Sequence, residues 1–405
     1  MLFRRTVIVG AAFLMVFGPT LLAGAGTGPA AAVRATPKTT PGAGTAPALR
    51  LEQWPLAPTP SAPAWVPRTF TVVASGDVLL HSGLWRDAAA TGRRGYDFAP
   101  LFKDIAPVVR AADLAICHLE TPVGRPGGPF SGYPIFSVPP QIAPALRSTG
   151  YDACSTASNH SLDGGTAGVD RTLDALDAAG IRHTGTARSA AEAARPTIYD
   201  VHGVRVGHVS YTFGFNGLTE PKDKPWLANE LDVAALLRQA HNARAAGAEF
   251  VIASIHWGTE YVHDPDALQR QVARRVLRSP DVDLILGHHA HVVQPFERIG
   301  SEWVAYGLGN HVSGQSFSFD TRDGTMARFT IAEVAPGRFQ VARAEALPTW
   351  MLLGSGPARV LDAAGCAANP PNSAALRRDC QASWRRTAGH VSSRGAPAAG
   401  LVVVR

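Results

Sequence analysis

Short apolar runs alternate with stretches of helical periodicity along most of this 405-residue chain. Runs rich in Val, Ile, Leu and Ala predict buried strands at 70–75, 114–119, 151–156, 250–255 and 284–286. Apolar residues at i, i+3 and i+4 predict amphipathic helices at 98–111, 166–179, 232–246 and 266–277. Strands that alternate with helices favour an α/β fold.

Other β-type runs follow one another without a helix between them. They predict further strands at 197–199, 204–212, 293–299, 303–306, 327–334 and 339–347. Such late, successive strands indicate a second sheet or a sandwich. From Gly354 onward the chain is polar and is predicted to be loop-like, with an apolar end, 396–404, that docks on the folded body.

Polar side chains suited to metal binding or proton transfer follow the five buried strands. They are Asp77, Glu120, Asn159 with His160, His256, and the cluster of His288, His289 and His291. Taken singly, an Asp after Gly is more often a turn residue, Asn-His is equally consistent with a helix cap, and a His cluster with a polar loop. Because strand ends of an α/β sheet share one edge, we expect these side chains to converge. His81 follows the first strand end and is expected to face the same cleft.

Oxygen and nitrogen ligands without a thiolate suit two adjacent divalent cations such as Mn, Fe or Zn. Such a pair polarises a phosphoryl group and activates water, while an unligated His beside it can protonate the leaving group. The same ligands also suit a metallopeptidase or a deacetylase, although the chain lacks a His-Glu-x-x-His motif. A Ser-His-Asp hydrolase is disfavoured because no Gly-x-Ser-x-Gly motif is present.

The N-terminus has the layout of a targeting segment. Arg4 and Arg5 precede an apolar stretch, 7–22, and then small residues, which predicts a signal peptide over 1–30. An uncleaved membrane anchor is the alternative, and the short apolar core weakens it. Residues 31–68 are rich in Ala, Pro, Thr and Gly and predict a disordered linker. The rest of the chain is therefore expected to be extracytoplasmic, either secreted or associated with the cell envelope.

The formal net charge of +6 arises mainly from scattered Arg residues. It predicts mild attraction to anionic polymers or surfaces and argues against nucleic-acid binding. An extracytoplasmic location permits disulfides, and Cys366 with Cys380 is the expected pair. Cys117 and Cys154 lie near two predicted strand ends and are either bridged or simply packed.

The strand-end residues belong to longer motifs that occur in a fixed order between about residues 70 and 345. These motifs are Gly76-Asp77, Leu119-Glu120, Ser158-Asn-His-Ser-Leu-Asp163, Ile255-His-Trp-Gly-x-Glu260, Gly287-His-His-Ala-His-Val-Val-Gln294 and Tyr306-Gly-Leu-Gly-Asn310. Together they resemble the CapA-type capsule-synthesis proteins, which are linked to poly-γ-glutamate and form a branch of the calcineurin-like metallophosphoesterase superfamily. The resemblance implies a four-layer αββα sandwich with a dimetal site at the C-terminal ends of the strands.

The resemblance also implies roles for individual residues. Asp77 and Glu120 would be carboxylate ligands, with Glu120 bridging the two ions, and His160 would be the acid beside them. The remaining ligands would be Asn159, His256 and His289 for one metal, and His291 for the other. Accessory positions would be Glu260 at the site edge, His288 and Asn310.

Three histidines depart from the family pattern. His118 stands where the family usually has Asn, His311 stands where it tends to have an aromatic residue, and His81 is unusual after the Gly-Asp pair. Extra histidines could add a ligand or change the metal preference.

The combined expectation is an exported dimetal hydrolase of the phosphoesterase type, acting in capsule or cell-envelope polymer metabolism. Its expected partners are an anionic envelope polymer or phosphoester substrate and membrane-bound polymer-synthesis machinery. The alternative is a non-catalytic assembly or anchoring factor that keeps the fold. The catalytic domain is predicted over 69–348, with a C-terminal extension over 349–405.

Overall fold

The computed structural model describes residues 65–92, 95–354, 356–368 and 373–405. The predicted signal peptide and nearly all of the predicted linker lie outside the described residues. The division of the chain at residues 30, 68 and 348 remains a prediction.

The described chain contains strands and helices in mixed order. The strands are β1 (Thr69–Leu79), β2 (Leu114–Leu119), β3 (Ala153–Ser155), β4 (Arg182–Thr184), β5 (Thr197–Val201), β6 (Val204–Thr212), β7 (Phe250–His256), β8 (Leu284–His288), β9 (Phe296–Ile299), β10 (Glu302–Ala305), β11 (Asn310–Ser313), β12 (Asp323–Ala335), β13 (Arg338–Leu352), β14 (Arg359–Asp362) and β15 (Leu401–Val403). The α-helices are α1 (Ser82–Thr91), α2 (Ala106–Arg110), α3 (Ile142–Thr149), α4 (Gly165–Ala178), α5 (Ala190–Ala193), α6 (Val233–Ala245), α7 (Ala267–Val276), α8 (Ala363–Ala368) and α9 (Ala374–Ser392). Two 3-10 helices span Ala99–Phe102 and Ala396–Ala399.

These strands form two sheets. The larger sheet has the order β14-β13-β12-β1-β2-β3-β4, with β11 beside β1 and β15 beside β13. The smaller sheet has the order β5-β6-β7-β8-β10-β9. In the smaller sheet the parallel strands β6-β7-β8-β10 are flanked on both sides by antiparallel strands, β5 and β9. In the larger sheet the parallel strands β1-β2-β3-β4 end at the edge strand β4, and the antiparallel strand β12 pairs with β1 on the other side. The parallel strands direct their C-terminal ends toward one edge of each sheet.

Three apolar cores define the layers. Phe70, Ile116, Val206, Phe250 and others fill the space between the two sheets. A second core joins the outer face of the larger sheet to helices α1 to α4, and a third joins the smaller sheet to α6 and α7. The layers therefore run helix, sheet, sheet, helix, and the predicted αββα sandwich is confirmed.

None of the helices within the described part of the chain is long and apolar enough to span a membrane.

The helix predicted over 98–111 is not continuous in the structure. The segment 98–111 folds as a 3-10 turn, Ala99–Phe102, followed by the five-residue helix α2. Pro107 explains the break, because its nitrogen has no hydrogen to donate to a preceding turn and it is favoured at the start of a helix. Helices α4, α6 and α7 occur where apolar periodicity predicts them. Asp232 and Asp266 cap α6 and α7.

The prediction of a loop-like tail after Gly354 is also wrong. The tail contains the nineteen-residue helix α9 and two strands, β14 and β15, that pair with β13. Strand β13 itself continues to Leu352, so residue 348 lies inside a strand. The expected docking of the apolar end does occur, through β15.

The sulfurs of Cys366 and Cys380 are bonded, as are those of Cys117 and Cys154 on neighbouring strands.

Candidate metal centre

The strand ends of both sheets bring their polar side chains to one buried cluster. The larger sheet supplies Asp77 from β1 and Glu120 directly after β2, with Asn159 and His160 after β3. The smaller sheet supplies His256 at the end of β7 and the histidines that close β8. Asp77 lies within β1, not beyond it as the sequence suggested, at an irregularity in the pairing with β2 and β11. Such irregularities redirect a side chain.

Asp77 is fully buried among imidazoles. Its Oδ1 lies 3.3 Å from Nδ1 of His288, and its Oδ2 lies 3.2 Å from Nδ1 of His291. The backbone N–H of His289 donates to Oδ2 at 3.3 Å. Burial would raise the pKa of Asp77, but the close imidazoles of His288 and His291 hold it well below its usual value. Asp77 is therefore a carboxylate, the form that binds metal ions.

Glu120 is the least satisfied polar group of the cluster. Its side chain is buried, yet neither carboxylate oxygen has a hydrogen-bond partner among the described residues. Oε1 lies 3.7 Å from Nε2 of His291 and 3.9 Å from Nε2 of His256. Burial raises the pKa of Glu120 well above its usual value. A buried carboxylate without partners is costly unless a cation or a proton compensates it, and its position between two imidazoles fits a bridging ligand.

His256 connects Asn159 to the unusual His118. Nε2 of His256 lies 2.9 Å from Oδ1 of Asn159, and its Nδ1 lies 2.9 Å from Nε2 of His118. Nδ1 of His118 in turn lies 2.8 Å from Oγ of Ser155. When Nε2 of His256 is kept free of hydrogen for a metal ion, its Nδ1–H donates to His118, which donates to Ser155. His118 then orients a ligand, as hydrogen-bond partners of metal-bound histidines commonly do.

Two of the histidines have strained backbones. The φ angles are +89° at His289 and +55° at His291, in a region that disfavours residues with a Cβ. Such strain costs on the order of 1–3 kcal/mol per residue and is concentrated at functional sites.

Nδ1 of His289 has no hydrogen-bond partner among the described residues, whereas Nδ1 of His291 lies 3.0 Å from Oδ1 of Asn310.

The protonation states suit metal binding. Burial, reinforced by neighbouring imidazoles, lowers the pKa of His256 and His118 well below the usual value and that of His289 to about 3. These rings are therefore neutral at physiological pH, as metal ligands must be. His291 differs: burial lowers its pKa, but the charges of Glu120 and Asp77 outweigh burial and raise it to about 9. A metal ion would replace that proton.

His160 lies beside these groups at the wall of an open cleft. Its Nδ1 is 2.7 Å from Oδ2 of Asp163, three residues along the chain. The edge of the Phe136 ring packs against it, with ring centroids 4.7 Å apart. The cleft has a volume of about 510 Å³ and is lined by His160, His291, Glu260 and the exposed Tyr133 and Phe317.

The accessory residues differ in how they contact the cluster. His288 stacks on His118 with centroids 4.0 Å apart, and Glu260 places an oxygen near His289 and His291. The Nδ2 amide of Asn310 donates a hydrogen bond to the backbone carbonyl oxygen of His291 at 3.3 Å. His81 lines the cleft but belongs to none of the candidate metal groups of the described chain.

His311 does not join the site. The pairing of β11 with β1 is irregular between Asn310 and Val312, and Asn310 contacts His291 in the cluster while His311 faces the helical layer. There Nε2 of His311 lies 2.9 Å from the Tyr151 hydroxyl, and Phe102 packs nearby. His311 therefore belongs to none of the candidate metal groups among the described residues.

Two residues that sequence reasoning missed also contact the site. Phe213 directly follows β6 and its ring lies 4.5 Å from that of His289, while being 40% exposed. The position of Phe213 in the sequence indicates a place near the site, because Phe213 follows β6, which is parallel to β7 and ends at the same edge of the sheet. Asp163 stood inside a recognised motif, and its spacing of three from His160 places the two side chains within reach in the turn after β3.

Divalent metal ions fit the residues present. Within the described chain, Asp77, Glu120 and His291 bring ligand atoms within 4.8 Å of one another, as do Glu260, His289 and His291, and Asp77, His118 and His256. The ligands are oxygen and imidazole nitrogen, a set typical of Zn, Mn and Fe. Fold and site thus define an αββα protein with a histidine–carboxylate cluster, suited to metal binding, between the edges of its sheets.

Within that class, the chain belongs to the bacterial capsule synthesis protein PGA_cap family, whose model matches residues 71–315. The resemblance inferred from the strand-end motifs is confirmed. The chain is 26% identical to the PGA biosynthesis protein CapA of Bacillus subtilis over 289 residues, covering 70% of this chain and 74% of that protein. It is 26% identical to the capsule biosynthesis protein CapA of Bacillus anthracis over 294 residues, covering 67% and 69%.

Solved structures give weaker similarity. A calcineurin-like phosphoesterase from Bacillus subtilis aligns at 16% identity and a TM-score of 0.43, covering 80% of this chain and 98% of that one. The NAD nucleotidase of Haemophilus influenzae aligns at 10% identity and a TM-score of 0.44, covering 84% and 64%.

Proposed function

We propose that this protein is an exported dimetal hydrolase of the phosphoesterase type that acts in capsule or cell-envelope polymer metabolism. The observation that carries the proposal is Glu120, a buried carboxylate without hydrogen-bond partners among the described residues, placed between His291 and His256. Two divalent ions of Mn, Fe or Zn type, held by Asp77, Glu120, Asn159, His256, His289 and His291, would activate water and polarise a phosphoryl group.

His160 supplies the proton for the leaving group. The Asp163 carboxylate accepts a hydrogen bond from Nδ1–H of His160 and fixes the ring orientation. Nε2 is then the atom that can donate its proton to a departing oxygen. Phe136 restricts the ring from one side.

The cleft supports a substrate larger than a phosphate ion. Tyr133 and Phe317, both more than 60% exposed, form an apolar rim beside His160 and Glu260. The relatives carry the names of PGA and capsule biosynthesis proteins, which directs the proposal toward an envelope polymer or a phosphoester precursor of one. Export rests on the charged and apolar pattern of residues 1–30.

A non-catalytic role in polymer assembly is the second candidate. One observation favours it: a relative from Mycobacterium tuberculosis, 28% identical over 213 residues, is named a probable polyglutamine synthesis accessory protein. In that case the metal cluster would stabilise a binding surface beside the membrane-bound synthesis machinery.

The two functions separate in a hydrolysis assay of the full chain loaded with Mn²⁺. We expect wild type to hydrolyse aryl and alkyl phosphodiesters, and His160→Ala to lose about 10²–10⁴-fold in kcat on the alkyl ester. The loss should be smaller with p-nitrophenolate, a leaving group that needs little protonation. Metal content should not change.

His183→Ala is the matched control, because a ring nitrogen of His183 likewise lies near an aspartate, Asp177, at 3.1 Å. His183 lies on the edge strand β4 and belongs to none of the candidate metal groups among the described residues. The control should leave both rates unchanged. Metal binding without turnover of any ester would contradict the hydrolase and support the assembly role.

A further inference from the structure

A second group of potential ligands lies outside the metal centre. His263, Asp320 and His390 place ligand atoms within 4.8 Å of one another. They come from three separate segments: the loop between β7 and α7, the loop between β11 and β12, and the last turn of α9. None of the three is assigned to the cluster around Glu120.

His263 is fixed in an orientation suited to metal binding. Its Nδ1 lies 2.8 Å from the carbonyl oxygen of Val293, so Nδ1 carries the hydrogen and donates. Nε2 then has a free lone pair, and it is this atom that lies 3.9 Å from Oδ2 of Asp320. A hydrogen bond from the distal nitrogen to a carbonyl is the usual support of a metal-bound histidine.

Asp320 is held in place by its own loop. The Ser318 hydroxyl donates to Oδ2 at 3.2 Å, and the backbone N–H of Asp320 donates to the same hydroxyl oxygen at 3.1 Å. Arg386 is the competing cation, with Nε 3.9 Å from Oδ1 of Asp320. Its guanidinium, however, makes two hydrogen bonds to Asp323, at 2.6 and 2.9 Å. Oδ2 of Asp320 therefore remains available to another cation.

His390 completes the group from α9. Its ring stacks on that of His263 with centroids 3.5 Å apart and planes 2° from parallel. Two parallel rings cannot both hold one ion in their planes, so binding requires the His390 ring to turn. The ring is only half-buried, and its nitrogens take part in none of the hydrogen bonds found among the described residues.

We propose that His263 Nε2, Asp320 Oδ2 and a ring nitrogen of His390 bind a Zn²⁺-type divalent cation. Two imidazoles and one carboxylate leave a fourth position for water, a common zinc coordination. The site is independent of the metal centre and of its proposed chemistry.

The consequence concerns the cleft. Tyr261, on the His263 loop, packs edge to face against Phe317, on the Asp320 loop, with centroids 5.0 Å apart, and both rings line the cleft. A cation bound to all three segments would fasten this wall of the cleft to the C-terminal helix.

Zinc titration of the chelated full chain tests the site. Wild type should bind one more Zn²⁺ per chain than His390→Ala or Asp320→Asn, and Zn²⁺ should raise the Tm of wild type more than that of either variant. Because these variants keep every residue of the metal centre, ions bound there cancel in the comparison.

His241→Ala is the matched control, since His241 is exposed and also pairs with an aspartate, Asp281. It should bind as many Zn²⁺ ions as wild type. Equal zinc numbers and equal Tm shifts in wild type, His390→Ala and Asp320→Asn would overturn the proposal.

Discussion

His118 contacts the candidate metal cluster through His256 and His288. Both of its ring nitrogens have partners, His256 and Ser155, at 2.9 and 2.8 Å. Its contact with His288 is a ring stack. We interpret it as a positioning residue that selects the metal-binding tautomer of His256. The competing interpretation is direct ligation, since His118 also lies near Asp77.

Replacing His118 distinguishes these interpretations. His118→Ala should weaken Mn²⁺ or Zn²⁺ binding by about 10–100-fold, the usual effect of losing a partner that orients a ligand. His118→Asn, which keeps hydrogen-bonding capacity and restores the residue expected for the family, should recover part of that loss. Calorimetric titration gives the affinities. Complete loss of one ion in both variants would instead identify His118 as a ligand.

Two glycines allow backbone segments to approach closely beneath the metal centre. A Cβ at Gly76 would collide with the carbonyl oxygen of Gly309, and one at Gly287 with that of Tyr306. The backbone N–H of Asp77 donates to the same carbonyl oxygen of Gly309 at 2.9 Å. Strand β1 and the segment before β11 are therefore held together where Asp77 enters the site.

Gly76→Ala should displace Asp77 and lower the metal content of the purified protein, together with its Tm. The added methyl meets backbone atoms, which cannot move aside as a flexible side chain could. Gly83→Ala is the control: it lies in α1, where the nearest atom is 4.0 Å from the added Cβ, and alanine favours a helix. Normal metal content in Gly76→Ala would refute this role of the close approach.

Arg68 joins the two sheets at the end opposite the metal centre. Its guanidinium lies 2.6 Å from Glu249, just before β7, and 2.8 Å from Glu333 on β12. Hydrogen bonds from Arg68 lower the pKa of Glu333 from 4.5 to about 2. A carboxyl with a lowered pKa stabilises the fold above its ordinary pKa and loses that effect as pH falls through the lowered value.

Urea unfolding at several pH values tests this ion pair. Glu333→Gln should be less stable than wild type at pH 7, and the difference should shrink as pH falls from about 4.5 toward 2. Glu230→Gln, at an exposed position, should match wild type throughout. A stability difference that is independent of pH would contradict an ionic contribution.

Much of the fold follows from apolar periodicity alone. The central strands β1, β2, β6 and β7 are buried on both faces, so their apolar runs and strand ends are visible in the sequence. Pro107, at which the predicted helix 98–111 is broken, is equally visible in the sequence. Helix α9 was missed because its buried residues include Cys380, Ser383 and Thr387, so no apolar stripe marks it.

The candidate site was predictable for a related reason. Candidate ligand residues near the C-terminal ends of buried strands meet where the sheet edges meet, and Asp77, Glu120 and His256 do so. What the sequence could not show is the direction of single side chains near strand ends. His311 turns into the helical core, and Phe213 reaches His289 from a strand end without a polar residue to draw attention to it.

The whole molecule, from β1 to β15, holds one cluster between two sheets, and Glu120 is its centre. Crystals of the full chain grown with Mn²⁺ and measured for anomalous scattering test this account most directly. We predict two peaks on either side of the Glu120 carboxylate, each about 2 Å from one of its oxygens, with one peak near His256 and the other near His291. A Glu120 carboxylate that contacts no ion in those crystals would contradict the account.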